Sequence, residues 1–165
     1  MQDCKFLVCE HLHLKAKLPT LRCPPPDFLP LRLTFMSTLL SPSFDDPQLS
    51  NALAQITCSE LDALEFGVIG FDAEGVVRTY NAFESKCAGL SVDRVKGQPL
   101  FTVVAPCMNN YLVAQRFEDA ATSGCSLDAT IDYVLTLRMR PVKVKLRLLA
   151  EPGAAMRFVL VLRRS

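Results

Sequence analysis

Histidine is nearly absent from this chain of 165 residues: the two that it has lie at positions 11 and 13. A thiol- or hydroxyl-dependent enzyme needs a general base beside its nucleophile, and histidine is the residue most often used. Because no histidine follows position 13, thiol-dependent catalysis is the weakest of the functions that we consider. Tryptophan is missing altogether, which removes one common interface anchor but excludes no class of protein.

The chain also lacks a strong net charge and a long apolar run. It has 18 Lys and Arg against 17 Asp and Glu, a formal net charge of +1, so the overall charge points neither to nucleic acid nor to an anionic membrane surface. No apolar run reaches the ~20 residues that a membrane-spanning helix needs. Lysines and arginines recur over residues 138–147, but no aromatic residues lie between them as stacking on bases would require. We interpret them as the solvated face of a strand.

The seven cysteines form no CxxC pair, and their spacing is irregular. An odd number at irregular spacing does not predict a disulfide framework, so we expect reduced thiols in a cytoplasmic protein. The run Cys4-x4-Cys9-x-His11-x-His13 contains possible metal ligands. Its spacing matches no zinc pattern, and we predict no metal site.

Three segments are expected from the composition. Residues 1–36 contain a proline-dense stretch and are predicted to be a disordered or extra N-terminal extension. Residues 37–64 are predicted to form an N-terminal helical cap. Residues 65–165 are predicted to form the core domain.

Apolar periodicity predicts an α+β domain. Helical spacing is found over residues 51–64, in short segments over 81–97, and over 110–123, where Gly124 is a typical helix end. Strand patterns are found over residues 66–71, 76–80, 126–139, 141–149 and 158–162. Two strands, several short helices and three further strands predict a five-stranded antiparallel sheet with short helices packed on it. This is the plan of a PAS-type fold.

The most informative feature is Cys107 in the run Val104-Ala-Pro-Cys107, because a preceding proline holds the cysteine on a stiff turn. Upstream, Tyr80 and Glu84 can direct a phenol and a carboxyl group at one small pocket. Together these groups favour a covalently attached ligand with acid–base chemistry. A simpler interpretation stays open for each: Cys107 as a small buried apolar side chain, Tyr80 as a core tyrosine, and Glu84 as a helix N-terminal acid.

These motifs, in this order, resemble the photoactive yellow protein family, bacterial blue-light receptors of the PAS superfamily. The resemblance extends from about Leu49 to the C-terminus. It rests chiefly on Leu61-Asp-Ala-Leu-Glu-Phe-Gly-Val-Ile69, Asp72-x-x-Gly75, Tyr80-Asn-Ala-x-Glu84, Val104-Ala-Pro-Cys107 and Pro141-x-Lys-Val-Lys145.

The resemblance implies a chromophore and a set of site residues. Cys107 is expected to bind p-coumaric acid as a thioester, while Tyr80 and a neutral Glu84 donate hydrogen bonds to the phenolic oxygen. Ala88 and Leu90 stand where the family usually has a threonine and an arginine. The expected pocket wall consists of Ala88, Leu90, Phe101, Tyr133, Leu135 and Met139.

We therefore predict a blue-light photoreceptor that is not an enzyme. Isomerisation of the chromophore would be followed by proton transfer from Glu84 and partial unfolding of the N-terminal cap. A buried carboxylate left without a partner would cost enough free energy to loosen the cap. The partner is expected to be an unidentified downstream signalling protein, with no nucleic acid or membrane, and the chain a monomer or weak dimer. The alternative is a chromophore-free PAS domain that acts as an interaction or dimerisation module.

Overall fold

The computed structural model describes residues 42–136 and 141–163. Two helices come first, α1 (Leu49–Gln55) and α2 (Cys58–Asp62), followed by strands β1 (Gly67–Phe71) and β2 (Val77–Tyr80). The middle of the chain forms α3 (Ala82–Ala88), α4 (Val92–Val95), a π-helical turn (Leu100–Val104), a 3-10 turn (Pro106–Met108) and α5 (Ala114–Ser123). Three strands follow: β3 (Leu127–Leu135), β4 (Val142–Ala150) and β5 (Arg157–Arg163).

The five strands form one antiparallel sheet in the order β2-β1-β5-β4-β3. The predicted α+β architecture, a PAS-type sheet with short helices, is therefore confirmed. The predictions for residues 1–36 and for Met139 lie outside the described residues. Of the segment predicted as a cap, residues 42–64 are described, and they contain α1 and α2.

Local hydrogen bonds explain where two of the helices begin. At α2, Thr57 Oγ1 accepts a hydrogen bond from the Glu60 N–H, and Glu60 Oε2 accepts one from the Thr57 N–H, which is a capping box. The helix predicted over residues 110–123 begins later, at Ala114. The side chain of Asn110 accepts a hydrogen bond from the Leu112 N–H at 2.9 Å and so stabilises a turn in place of the first helical residues.

The sheet is covered on both faces, and each face has its own core. We call the first the pocket face; its core includes Ile69, Phe71, Tyr80, Val95, Val113, Phe117, Leu146, Val159 and Val161. We call the second the cap face, because α1 and α2 contribute to it; its core includes Leu49, Leu53, Leu61, Phe66, Val68, Leu149, Phe158 and Leu160. Every residue of β1 is buried as a result.

The prediction of a solvated polar face on β4 is wrong at Arg147, which is buried. Its Nη1 donates to the backbone carbonyls of Phe44 at 2.6 Å and Asp46 at 2.9 Å, so the segment before α1 covers this part of the cap face. Lys143 is exposed and Lys145 is half-buried. The alternation of apolar and polar residues along β4 could not reveal that a segment 103 residues earlier in the chain covers Arg147.

Candidate functional site

Cys107 lies in the 3-10 turn Pro106–Met108, directly after the π-helical turn. Pro106 occupies the start of the 3-10 turn, where its fixed φ suits a helical backbone and its missing N–H leaves no hydrogen bond unmade. The predicted stiff Pro-Cys turn is thus present. The side chain of Cys107 is partly buried and packs against the core of the pocket face.

Two side chains bind the backbone carbonyl of Cys107. Tyr133 Oη donates to it at 2.5 Å and Asn110 Nδ2 at 2.8 Å, and Asn110 Nδ2 lies 2.6 Å from Tyr133 Oη. Tyr133 was predicted as a wall residue, and its hydroxyl group also fixes the turn that contains Cys107. Asn110 was missed by the sequence analysis, and its position three residues after Cys107 was the one available signal.

Tyr80 and Glu84 are both buried, at 3% and 2% exposure. Tyr80 ends β2 and Glu84 lies in the first turn of α3, so a single bend of the chain places them together. Asn81 fixes that bend because its Oδ1 accepts hydrogen bonds from the N–H groups of Glu84 at 3.1 Å and Val68 at 2.9 Å. The four-residue spacing therefore produces two buried polar groups near one end of the pocket-face core.

The environment keeps Tyr80 a hydroxyl donor. Burial raises the pKa of its phenol, the negative charge of Glu84 raises it further, and the positive charge of Arg163 opposes the rise. At neutral pH the Tyr80 oxygen consequently holds its proton. This is the protonation state that the predicted donor role requires.

Glu84 forms a buried ion pair with Arg163 that the sequence analysis did not identify. Arg163 Nη1 lies 2.5 Å from Glu84 Oε2, and Nη2 lies 2.7 Å from Oε1. Burial alone would lower the pKa of Arg163, but the hydrogen bonds and charge of Glu84 outweigh it and raise that pKa. Two parallel N–H···O bonds are the geometry with which arginine binds a carboxylate. The resemblance implies a neutral Glu84, and this stays a prediction. That prediction did not take into account Arg163 as a partner of Glu84.

Gly67 is the reason that the Glu84 carboxylate can lie against β1. A Cβ atom on Gly67 would be 2.0 Å from Glu84 Oε2 and 2.9 Å from the carboxyl carbon, which is closer than any side chain can approach. Gly67 is two residues before Ile69 and opposite Val161, both in the pocket-face core. The carboxylate is therefore on the pocket face.

Four of the five predicted wall residues that the structure describes lie in the pocket-face core or pack against it. Leu135 is buried there, and Leu90, Phe101 and Tyr133 are partly buried against the same core as Cys107. The ring of Phe101 packs edge-on against Phe71, with 5.4 Å between centroids. Ala88 is buried at the C-terminal end of α3, one helical turn beyond Glu84.

A half-open groove of about 720 Å³ lies next to the turn that contains Cys107. Its lining includes Asn110 and Tyr133, which bind the Cys107 carbonyl, but neither Tyr80 nor Glu84. The groove is therefore at the Cys107 end of the candidate site, while the Tyr80–Glu84 end is buried. The lining residues are Asn110, Tyr111, Leu112, Asp132, Tyr133, Val134, Lys143 and Val144.

The part of the chain that the structure describes contains neither a disulfide nor a metal-binding cluster. Cys58, Cys87, Cys107 and Cys125 are all free thiols there. Within residues 42–136 and 141–163, no group of three or more His, Cys, Asp or Glu side chains could hold a metal ion, and no helix is both long and apolar enough to cross a bilayer. The Cys4–His13 run lies outside these residues.

Curated relatives identify the family. A photoactive yellow protein from Rhodothalassium salexigens is 33% identical over 105 residues, which cover 64% of this chain and 83% of the relative. A photoactive yellow protein from Halochromatium salexigens is 34% identical over 105 residues, with the same coverage of 64% and 83%. The chain belongs to the photoactive yellow protein family. The predicted resemblance is confirmed.

A solved structure agrees with this family assignment. The photoactive yellow protein domain of the sensor histidine kinase Ppr from Rhodospirillum centenum is 36% identical, with a TM-score of 0.63. The match covers 70% of this chain and 99% of that domain. No protein-family model matches the chain. As a photoactive yellow protein family member with a PAS-type sheet, the chain has the sequence and fold of a photosensor domain.

Proposed function

We propose that this chain is a blue-light photosensor, not an enzyme, that binds p-coumaric acid as a thioester on Cys107. The observation that supports this most directly is the shared location of the three groups. The Cys107 side chain packs on the pocket-face core, Tyr80 is part of that core, and the Glu84 carboxylate lies on the same face of the sheet. A thiol at one end and two acid–base groups at the other fit a short ligand with a phenolic tail.

The pocket-face core fits such a group in its chemistry as well. Phe101 and Leu90 are partly buried on this core, so apolar surface would flank an aromatic ring. Tyr80, which holds its proton, can donate to a phenolic oxygen. When bound, the coumaroyl thioester supplies absorption of blue light and a double bond that isomerises.

The residues around Cys107 would hold the attachment point still. Tyr133 and Asn110 both bind the Cys107 carbonyl, so the peptide groups of this turn have little freedom to rotate. We propose that the Cys107 N–H donates to the thioester carbonyl, as in the family. Light would first alter the site by breaking this hydrogen bond between the Cys107 N–H and the thioester carbonyl.

Glu84 would bear a proton at its carboxyl group when it faces the phenolic end, and after illumination would transfer that proton to the phenolic oxygen. This change can reach the cap face through Asn81. The Nδ2 of Asn81 donates hydrogen bonds to the carbonyls of Leu61 at 3.1 Å and Phe66 at 2.9 Å, while the Oδ1 of Asn81 accepts one from the Glu84 N–H. A shift of α3 would therefore weaken contacts of α2, and we propose that partial release of residues 42–64 is the signal.

The output would pass to a separate signalling protein in the cytoplasm, and we propose no nucleic-acid or membrane partner. We also propose that the chain is a monomer or a weak dimer. In either state, the surface exposed by the release of α1 and α2 would be apolar, because their inner side chains belong to the cap-face core.

Reconstitution tests the proposal. The purified chain is mixed with an activated p-coumaroyl thioester, so that the Cys107 sulfur replaces the thiol of the donor. We expect a yellow product that bleaches in blue light and recovers in the dark. Cys107→Ala should abolish the colour, whereas Cys87→Ala, which removes an exposed thiol, should keep it. A colourless wild type, or equal colour in Cys107→Ala, would contradict the proposal and favour a chromophore-free interaction module.

A further inference from the structure

We propose that Arg163 is a positioning residue for Glu84: it binds Glu84 as a carboxylate and competes with the phenolic end of the chromophore site for this side chain. The role of the phenolic end rests on the function proposed above. The ion pair itself does not, because it is formed by residues of this chain alone. Glu84 thus has two alternative partners. Its carboxyl group is protonated when it faces the phenolic end and ionised when it binds Arg163.

The geometry of the pair is specific for the ionised carboxyl. Each oxygen of Glu84 accepts one hydrogen bond from a different nitrogen of Arg163, at 2.5 and 2.7 Å. The guanidinium group has only hydrogen-bond donors. A protonated carboxyl group would direct its own O–H donor at one of them, so contact through both carboxyl oxygens favours the ionised carboxylate. The side chain of Glu84 is 2% exposed and that of Arg163 is 16% exposed, so water screens the pair weakly.

Two features hold the carboxylate in this place. Asn81 fixes the start of α3 by accepting from the Glu84 N–H, and the bare backbone of Gly67 provides the space that the carboxyl group occupies. Arg163 reaches the same place because it is two residues beyond Val161 on β5 and shares its face of the sheet. Three elements that are distant in sequence therefore define one position for the carboxylate.

Arg163 also supplies positive charge at this end of the core. The positive charge of Arg163 lowers the pKa of Tyr80, against the rise that burial and the negative charge of Glu84 produce. Leu90, which stands where the resemblance places an arginine, supplies none. We infer that the cation associated with the phenolic end in this chain comes from β5 rather than from the segment after α3.

This assignment changes how a light signal would be produced. The expectation from the sequence was a buried carboxylate without a partner after Glu84 has lost its proton. With Arg163 beside it, the carboxylate gains a partner instead, and much of its desolvation cost is offset. Release of the cap would then depend on the movement of Glu84 toward Arg163 and on the hydrogen bonds of Asn81, not on an unpaired charge.

Infrared spectroscopy of the chain without added chromophore tests the ion pair directly. The difference spectrum between wild type and Glu84→Gln reports whether Glu84 is protonated. At neutral pH we expect no protonated carboxyl band from Glu84 in the wild type and a clear one in Arg163→Met. Arg163→Lys should restore the carboxylate partly, because a lysine provides the charge without the two-fold contact. Arg157→Met, which removes an arginine from the same face of β5, should resemble the wild type.

A second variant covers the case in which Arg163→Met fails to fold. Gly67→Ala retains the arginine but puts a methyl group where the carboxyl group lies, so it should also produce a protonated Glu84 band. The proposal is overturned if the wild type already shows that band, or if the band is equally absent from Arg163→Met and Gly67→Ala.

The chromophore-loaded protein adds a kinetic readout. Arg163→Met should shorten the lifetime of the light-adapted state several-fold, because ionised Glu84 would lack its partner, and Arg157→Met should not. A protein that stays colourless would contradict the photosensor function. The infrared result would then still show whether Arg163 keeps Glu84 ionised. A yellow protein whose Arg163→Met lifetime and carboxyl band both match the wild type would overturn the role of Arg163 alone.

Discussion

Two arginine ion pairs lie on opposite faces of the sheet, and they connect different parts of the molecule. On the pocket face, Arg163 binds Glu84, which is 2% exposed, through two hydrogen bonds between side chains. On the cap face, Arg147 binds Asp128, which is 50% exposed, and also donates to two backbone carbonyls of the segment before α1. The first pair joins α3 to β5. The second joins β4 to β3, and the bonds from Arg147 to the two carbonyls attach the segment before α1 to the sheet.

The difference shows which pair can respond to a proton. Protonation of Glu84 would remove the charge that holds Arg163, so the pocket-face pair depends on ionisation. Arg147 would keep its hydrogen bonds to neutral carbonyls whatever the state of Asp128. Asn81 connects the two faces, because it caps α3 on one side and binds the Leu61 carbonyl at the end of α2 on the other.

Removing the connection should have the largest effect. Asn81→Ala deletes a helix cap and leaves the buried groups that it binds, two N–H and two C=O, without that partner. We expect a loss of about 4 kcal/mol in the free energy of unfolding, since each such group costs about 1–3 kcal/mol and some will relax toward other partners. Urea unfolding measures it. The exposed Asn51→Ala is the control, and equal stability of the two variants would refute the connecting role.

Breaking the pocket-face pair should rank second. Arg163→Met leaves Glu84 buried without its cation and should cost about 3 kcal/mol in unfolding free energy. Adding Glu84→Gln in the same chain should recover at least ~1 kcal/mol, because the neutral amide does not have to take up a proton at neutral pH, as the buried carboxyl group does once its cation is lost. A double-mutant cycle from urea unfolding at neutral pH gives the coupling. Additivity of the two changes within ~0.5 kcal/mol would mean that the residues do not interact.

Breaking the cap-face pair should affect a smaller part of the molecule. Arg147→Met removes the hydrogen bonds to the Phe44 and Asp46 carbonyls, at a cost of about 2 kcal/mol. Because these bonds tether the segment before α1, amide hydrogen exchange should increase over residues 42–64 more than in β5. Lys145→Met, on the same strand and face but half-buried, should leave exchange there unchanged. Uniform acceleration across the sheet would contradict a local tether.

The smallest effect should be that of acid on the cap-face pair. Hydrogen bonds from Arg147 lower the pKa of Asp128 despite some desolvation. A carboxyl group whose pKa is lower in the folded state stabilises the fold above its unfolded pKa, and that contribution is lost as pH falls through the folded value. Since Asp128 is half-exposed, we expect less than ~1 kcal/mol. Stability curves of wild type and Asp128→Asn should therefore converge as the pH falls below about 4; parallel curves would exclude this contribution.

Much of the fold could be predicted because local patterns determine it. The strands predicted over residues 66–71 and 76–80 are present as β1 and β2, and a tight turn joins them because the Asp72 carboxyl group accepts a hydrogen bond from the Val76 N–H and Gly75 has a φ of 79°. The end of α5 was also predicted, because Gly124 adopts the left-handed conformation. The start of α5 was not, because a side-chain hydrogen bond of Asn110 competes with the helix.

The site was predictable as a set of chemical groups but not as an arrangement. Tyr80, Glu84 and Cys107 could be named because motif spacing singles them out. Arg163 could not, because its contact with Glu84 spans 79 residues and depends on β5 being next to β1 in the sheet. Arg147 was misinterpreted for the same reason: periodicity shows which side of a strand a residue is on, but not what covers that side.

Light-dependent hydrogen exchange of the reconstituted protein tests most directly whether the pocket face controls the cap face. Amide exchange is followed by mass spectrometry in the dark and under blue light, for wild type and Asn81→Ala. The account predicts that light accelerates exchange in α1 and α2 while the strands β4 and β5 stay protected, and that Asn81→Ala reduces this difference between light and dark. A wild-type protein that bleaches fully in blue light, yet shows the same exchange over residues 42–64 as in the dark, would contradict it.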